Sequence, residues 1–313
     1  MTRIETPAAS FEAAPNEVRR FIIENQPVRG YWVDLESAWQ ELRAHQSYPQ
    51  PVRDLLGEAV SASVLLAATL KFEGTLTFQL EGKGKVRLLV AQCTHDFRVR
   101  AVARFDEDAV DDSSATFSDL VGENGRVVVT IEAAERDMRY QGIVPLSGAS
   151  LSECLEEYFA SSEQLPTRVR LAADGRRTVG LLVQKLPERG GEEAESDSPA
   201  ARAWLDAEQA MLAVRSHELV GVSLQGLLTD RFGERDLRVF KGAPVQFACR
   251  CSQSRVAGLL RSLGADEVRD VLREQGRVEV TCEFCQRPFK FDAYAVEQLF
   301  DPDSTPDSSA SLH

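Results

Sequence analysis

Residues 50–70 read QPVRDLLGEAVSASVLLAATL. Apolar residues first recur at helical spacing (Val52, Leu55, Leu56, Ala59, Val60), and from there the run turns apolar nearly all round. The first pattern is that of an amphipathic helix and the second that of a helix enclosed on every side, so this segment predicts a central helix buried in a core.

The segments that follow supply the enclosure. TLTFQLE (75–81), KVRLLVAQC (85–93) and FRVRAVARFD (97–106) alternate or run apolar in the manner of strands, and Gly82-Lys83-Gly84-Lys85 makes the turn between the first two. That GKGK stretch precedes a strand rather than a helix, which argues against a phosphate loop. RVVVTIE (126–132) and RYQGIVPL (139–146) continue the series. SLSECLEEYFASSEQLP (150–166) reads as a helix that Ser150 or Ser152 can cap, with Glu153 at its positive end. TRVRLA (167–172) and VGLLVQKLP (179–187) then flank a turn at Asp174 to Arg177. Hairpins in series with few helices predict an α+β, mainly antiparallel N-terminal domain over 18–188, after an unstructured extension over 1–17.

Residues 190–199, GGEEAESDSP, hold four carboxylates and no base and read as a linker. Beyond it, apolar positions from Trp204 to Leu228 follow helical spacing, with Gly221 and Gly226 as interruptions. A middle segment over 189–242 has too little apolar material for a core of its own, so it must lean on a neighbour and can be released from one. The stretch 243–300 reads as a small α+β unit, with two short helices separated by Gly264, Asp266 as a possible cap, and a hairpin, VEVTCEFC to FKFD, whose turn carries two cysteines. The tail over 301–313 has no apolar periodicity and is expected to be disordered.

The chain has 313 residues, a formal charge of -13 and 43% hydrophobic residues, with a pI near 4.9. That balance argues against non-specific binding to nucleic acid or to an anionic membrane. The first 30 residues carry acids and Pro7, Pro15 and Pro27 without the basic head and apolar run of a secretory signal, and no stretch reaches 18 uninterrupted apolar residues. A cytoplasmic location is expected, where clustered cysteines serve as metal ligands or redox centres rather than structural disulfides.

Four of the six cysteines lie in two clips, Cys249 with Cys251 and Cys282 with Cys285, separated by 30 residues. C-x-C with C-x-x-C can close a tetrahedral four-thiolate zinc site; no histidine occurs in this unit to replace a cysteine. Zinc-bound sulfurs are deprotonated, the form an oxidant attacks, and Arg250 and Arg255 are expected to favour thiolate at the first clip. Spacing alone leaves a permanent staple and a reactive switch both open. A zinc-ribbon interaction module without redox switching is one alternative. A thiol-disulfide oxidoreductase is another, disfavoured because Cys282 lies in a hairpin rather than at a helix N-terminus.

Cys93 and Cys154 read as small buried hydrophobes, and Trp32, Trp39 and Phe72 as core. His45, His95, His217 and His313 are scattered, so no catalytic set is proposed and the protein is not expected to be an enzyme.

VQFACRCSQSRVAGLLRSLG (245–264) with VEVTCEFCQRPFKFD (278–292) resembles the C-terminal zinc domain of the heat-shock protein 33 family of bacterial redox-regulated holdases. Residues 51–93, 140–172 (YQGIVPLSGASLSECLEEYFASSEQLPTRVRLA) and 180–187 (GLLVQKLP) resemble that family as well, so the likeness spans about 28–292. The resemblance implies that Cys249, Cys251, Cys282 and Cys285 bind one Zn2+ per chain in a reduced, inactive form. It implies that oxidation pairs Cys249 with Cys251 and Cys282 with Cys285, releases the metal, and unfolds the zinc domain and middle segment. The exposed surface would hold unfolding client proteins without ATP, and the active form would be a homodimer. The extension over 1–17, the acidic insert around 192–197 and the tail after Asp301 depart from the family pattern. So does Gly233, where many relatives are expected to carry histidine.

Overall fold

The computed structural model describes residues 14–107, 115–133, 139–187, 198–233 and 235–301. The expected linker over 190–197, the start of the N-terminal extension and the tail after Asp301 fall outside the described residues. The chain divides into two compact units, residues 1–248 and 249–313.

In the first unit, α1 (Ser37–Arg43) precedes the long helix α2 (Gln50–Thr69), the segment that opened the sequence reading. Thirteen residues of α2 are buried, Val52 through Ala67, because the helix lies between two sheets. Its serines do not waste their hydroxyls: Ser61 Oγ lies 2.8 Å from Thr178 Oγ1, Thr178 donates to the Gly57 carbonyl at 2.7 Å, and Ser63 donates to the Val60 carbonyl at 2.7 Å. Buried hydroxyls left without partners would cost about 1–3 kcal/mol each, so these bonds are what allow serine inside an apolar helix.

One sheet contains β3 (Gly74–Glu81), β4 (Val86–Thr94), β5 (Arg98–Phe105), β6 (Arg126–Ala133), β7 (Arg139–Pro145) and β12 (Gln246–Phe247), in the order β12-β5-β4-β3-β6-β7. Leu76, Phe78 and Leu80 of β3 face α2, while the alternate positions carry a polar ladder on the other face: Arg100 donates to Gln92, which donates to Thr77. The second sheet contains β1 (Glu17–Ile23), β2 (Val28–Leu35), β8 (Thr167–Ala173), β9 (Thr178–Lys185), β10 (Leu237–Val239) and β11 (Ala243–Pro244). Its order is β10-β1-β2-β9-β8, with β11 also pairing with β1. All pairings are antiparallel except β12 with β5.

In sequence α3 (Phe117–Val121) lies between β5 and β6, and α4 (Leu151–Tyr158), which continues as a π-helical turn over Phe159–Glu163, lies between β7 and β8. Ser150, not Ser152, caps α4 by accepting from the Glu153 amide at 3.2 Å; Ser152 is buried and accepts from the Leu171 amide.

The middle segment is helical as expected: α5 (Pro199–Leu212), α6 (Ser216–Leu219) and α7 (Leu224–Phe232). Ser198 caps α5 ahead of Pro199, and Ser223 caps α7 by accepting from Gly226. The neighbour it leans on is the second sheet. Trp204, Ala207, Met211, Leu219, Leu224, Leu227, Leu228 and Phe232 bury themselves against Phe21, Ile23, Trp32, Val179, Leu181 and Val183, a core distinct from the one around α2. β9 is therefore buried on both faces, Leu182 toward α2 and its neighbours toward the middle segment. Phe21 packs edge-on against Phe232 with centroids 6.0 Å apart, and its ring covers Gly30 so closely that any Cβ there would meet it at 2.0 Å.

Two differences from the sequence reading stand out. No element was expected over 17–35, which forms β1 and β2. Residues 243–248, expected to begin the zinc unit, instead belong to the first unit through β11 and β12. Strands of two or three residues have no periodicity to read; their partners, not their composition, define them.

The second unit holds α8 (Gln253–Leu263), α9 (Ala265–Gln275), the hairpin β13 (Val278–Thr281) with β14 (Pro288–Phe291), and α10 (Ala293–Phe300). Among the described residues its buried core has eight: Val256, Ala257, Leu260, Val268, Val278, Phe289, Phe291 and Val296. Gly264 ends α8 with φ +97° and also stands at the N-cap of α9, so Asp266 is not a cap but an acid in the first turn. There it still complements the positive end of the helix.

Candidate metal and thiol site

The turn of the β13–β14 hairpin is built by two main-chain bonds. Cys282 donates its amide to Arg287 O at 3.0 Å and Gln286 donates to Cys282 O at 2.8 Å, with Gln286 in the left-handed region at φ 53°. This geometry points Cys282 and Cys285 to the same side. On the other strand of the site, Ser252 caps α8 by accepting from the Arg255 amide, which starts the helix immediately after Cys251 and fixes the exit of the first clip.

The four sulfurs converge: all lie within 4.8 Å of one another, and among the described residues no other cluster of three or more histidines, cysteines or carboxylates could hold a metal ion. Cys249 Sγ is 3.6 Å from Cys282 Sγ and Cys251 Sγ is 3.4 Å from Cys285 Sγ, so each of these contacts joins one clip to the other. Those separations exceed the roughly 2.05 Å of a disulfide, and all four thiols are free. They are close to the edges of about 3.8 Å that a tetrahedron of zinc–sulfur bonds of about 2.3 Å requires. The donor set and its dimensions fit a single tetrahedral thiophilic ion.

The model matched by the family description "Hsp33 protein" covers residues 16–292. The chain belongs to the Hsp33 family. Two relatives, each called a 33 kDa chaperonin, are similar over nearly the whole length. That of Methylobacillus flagellatus is 41% identical over 286 residues, 91% of this chain and 94% of the relative. That of Chromobacterium violaceum is 39% identical over 289 residues, 92% of this chain and 95% of the relative. A solved structure of the 33 kDa chaperonin (heat shock protein 33 homolog) from Thermotoga maritima superposes with a TM-score of 0.76, over 91% of this chain and 97% of that one. At 23% identity that likeness speaks to the fold. Hsp33 membership supports a chaperone role, and the four clustered cysteines fit a metal or redox site.

In this Hsp33 chain the electrostatics of the cluster are those of sulfurs that share charge. Burial raises the Cys249 thiol, but hydrogen bonds from the Cys251 amide and from the neighbouring thiols outweigh it and bring Cys249 down to about 7. Burial and the bonds to its neighbours push Cys251 up, and Cys285 rises chiefly through burial. A Cys249 thiolate is thus favoured, and repulsion from it is one of the causes that raise Cys251. A divalent cation among the sulfurs would remove that repulsion. The thiolate expected at the first clip is favoured at Cys249, where hydrogen bonds are the largest lowering causes, and Arg255 Nη1 donates to the Arg250 carbonyl at 3.0 Å. All four cysteines are part-exposed, which leaves them open to small oxidants.

Cys93 and Cys154 are buried in the first unit; burial pushes both thiols up, which makes them inert as expected. Trp32 and Trp39 are core residues and Phe72 packs at the core's margin. A group that the sequence reading passed over is Glu58, the one charged residue between Leu55 and Leu70. It lines a cavity of about 240 Å³ with Asp54, Phe117, Leu120 and Leu151; burial, and secondarily the Asp54 carboxylate, raises it to about 8. No described helix is long and apolar enough to cross a membrane.

Proposed function

We propose that this chain is a redox-regulated, ATP-independent holdase whose reduced form binds one zinc ion through Cys249, Cys251, Cys282 and Cys285. The observation that carries the reading is the convergence of four part-exposed sulfurs in a unit whose buried core is eight residues. So small a core cannot hold 50-odd residues by burial alone, whereas structural zinc supplies about 10–16 kcal/mol in small peptides. Stability and thiol chemistry therefore reside in the same four atoms.

Oxidation of Cys249 with Cys251 and of Cys282 with Cys285 forms two sulfur–sulfur bonds and removes four electrons. Two equivalents of a two-electron oxidant accept them, peroxide leaving as water or hypochlorite as chloride and water. Sulfurs tied as disulfides no longer supply thiolate ligands, and the unit loses its main source of stability. The middle segment, which has no core apart from the sheet it covers, is the second part to leave. Its departure exposes the apolar residues of α5 to α7 and the face of β1, β2 and β9 beneath them, a surface suited to unfolding clients. The pairing of disulfides and a homodimeric active form are carried over from the family resemblance; a cytoplasmic setting and a functional division at 18–188, 189–242 and 243–300 rest on the sequence reading. No catalytic turnover is part of this reading.

The test is to measure zinc content and suppression of client aggregation on one sample before and after treatment with peroxide under mildly unfolding conditions or with hypochlorite. The expected result is about one zinc and little suppression before, and zinc loss with strong suppression after. Suppression that is constitutive and indifferent to oxidant would sink the proposal.

A further inference from the structure

The middle segment is held to the first unit by more than apolar contact. Three arginines of the sheet it covers reach across to it. Arg168 on β8 bridges Glu156 of α4, at 2.9 Å, and Glu208 of α5. Arg170, two residues on, donates Nη1 to Glu156 at 2.9 Å and Nε to the carbonyl of Val214, just beyond the end of α5, at 3.2 Å. Arg177, beside β9, is gripped by Asp34 of β2, its Nε 3.1 Å from Oδ1, and donates Nη1 to the carbonyl of Val220 at the end of α6, at 3.1 Å. Helix C-termini carry carbonyls without intrahelical partners and a partial negative charge, so two of these guanidinium groups sit where a cation is most useful.

The arrangement is asymmetric in a way that matters. Each arginine has a carboxylate partner on the core side, Glu156 or Asp34, in addition to its partner on the middle segment. Glu156 is itself held by the Val169 amide at 2.8 Å. If the middle segment leaves, Arg168, Arg170 and Arg177 keep their core-side partners, Glu208 passes into water, and no buried charge is orphaned. Breaking a buried ion pair ordinarily costs several kcal/mol because one charge is left behind; this arrangement avoids that cost and can close again.

We propose that Arg168, Arg170 and Arg177 form a reusable polar latch that makes release of the middle segment sensitive to ionic strength. Glu208 is the salt-responsive member: its bond to Arg168 is an ion pair near the surface, with the two side chains 18% and 32% exposed, which salt screens. The two carbonyl contacts fix where α5 and α6 end against the sheet. The latch concerns the reduced protein; only its consequence for client holding rests on the holdase reading.

Hydrogen exchange of the full-length, reduced, zinc-loaded protein tests it, comparing peptides from 199–232 with peptides from β3 and β6 at about 0.01 M and about 1 M salt. In the wild type, exchange in 199–232 is expected to rise about fivefold with salt while β3 and β6 stay constant. In Glu208→Gln it should be already raised about fivefold at low salt and should no longer respond to salt. Adding Arg170→Gln should raise it further. An unchanged salt response in Glu208→Gln, or a rise that β3 and β6 share, overturns the latch. Client-aggregation assays on the same variants separate the two readings. Faster local release with a lower oxidant requirement supports both. Faster local release with no gain in client holding supports the latch and counts against the holdase.

Discussion

At the scale of single residues, two ionisable sites give opposite lessons. The four cysteines have value only as a set, because hydrogen bonds and repulsion among the sulfurs decide which one ionises. Cys282→Ser is expected to bring zinc content well below one per chain and to unfold the 249–301 unit, read by zinc assay together with loss of amide dispersion in NMR spectra. Glu58 is governed by its burial, with the Asp54 carboxylate as a second cause. Its folded value lies near 8 against an ordinary 4.5, so between those values the folded protein keeps a proton that the unfolded chain has released. Stability therefore falls as pH rises through that window. Glu58→Gln should match the wild type below about pH 4.5 and exceed it by about 1–3 kcal/mol above pH 8, in urea titrations of the first unit. The part-exposed cavity keeps the gain below what full burial would give.

At the scale of elements, the fold was legible wherever a segment carried a period of its own. α2 could be read as buried because serines were the main interruption in its apolar run, and the hairpin with a cysteine turn could be read from VEVTCEFC and FKFD. β1 and β2 were not legible. Gly30 and the charged residues Arg19, Arg20 and Arg29 break any alternation, and what makes the pair a strand pair is the Phe21 ring lying over Gly30. That the four cysteines form one group was readable from their spacing, but the hydrogen bond of Arg255 to the Arg250 carbonyl was not, since a guanidinium near in sequence can turn to either the sulfurs or the main chain. Gly233, noted as a departure from relatives, closes α7 at φ 62° and ψ -141° with no atom within 4 Å of a would-be Cβ. The obstacle there is backbone conformation rather than space. Gly233→His should weaken the packing of α7 by about 1–3 kcal/mol and raise hydrogen exchange in 224–232 ahead of the rest of the first unit.

At the scale of the whole molecule, the described residues form three apolar cores of very different self-sufficiency: one around α2, one shared between the second sheet and the middle segment, and one of eight residues beside the cysteines. Their dependence differs accordingly. A zinc chelator is expected to abolish the thermal transition of the 249–301 unit while leaving that of α2 and its sheets close to where it was, a separation that differential scanning calorimetry with and without chelator resolves. Chelation that lowered every transition equally would mean that the first unit also relies on the metal.

The pairing of β10 and β11 with β1 sets a boundary on what release of the middle segment can mean. β10 and β11 are the first paired residues after α7, so unfolding that runs past residue 236 strips β1 of its outer neighbour and leaves its outward main-chain groups, the Arg20 carbonyl and the Glu24 amide among them, facing solvent. A bare strand edge accepts any extended chain through main-chain hydrogen bonds, whatever its sequence. On the proposed holdase reading, where the unfolding stops decides the kind of grip: apolar contact alone if it halts at α7, apolar contact plus a sequence-blind backbone ladder if it continues through β10.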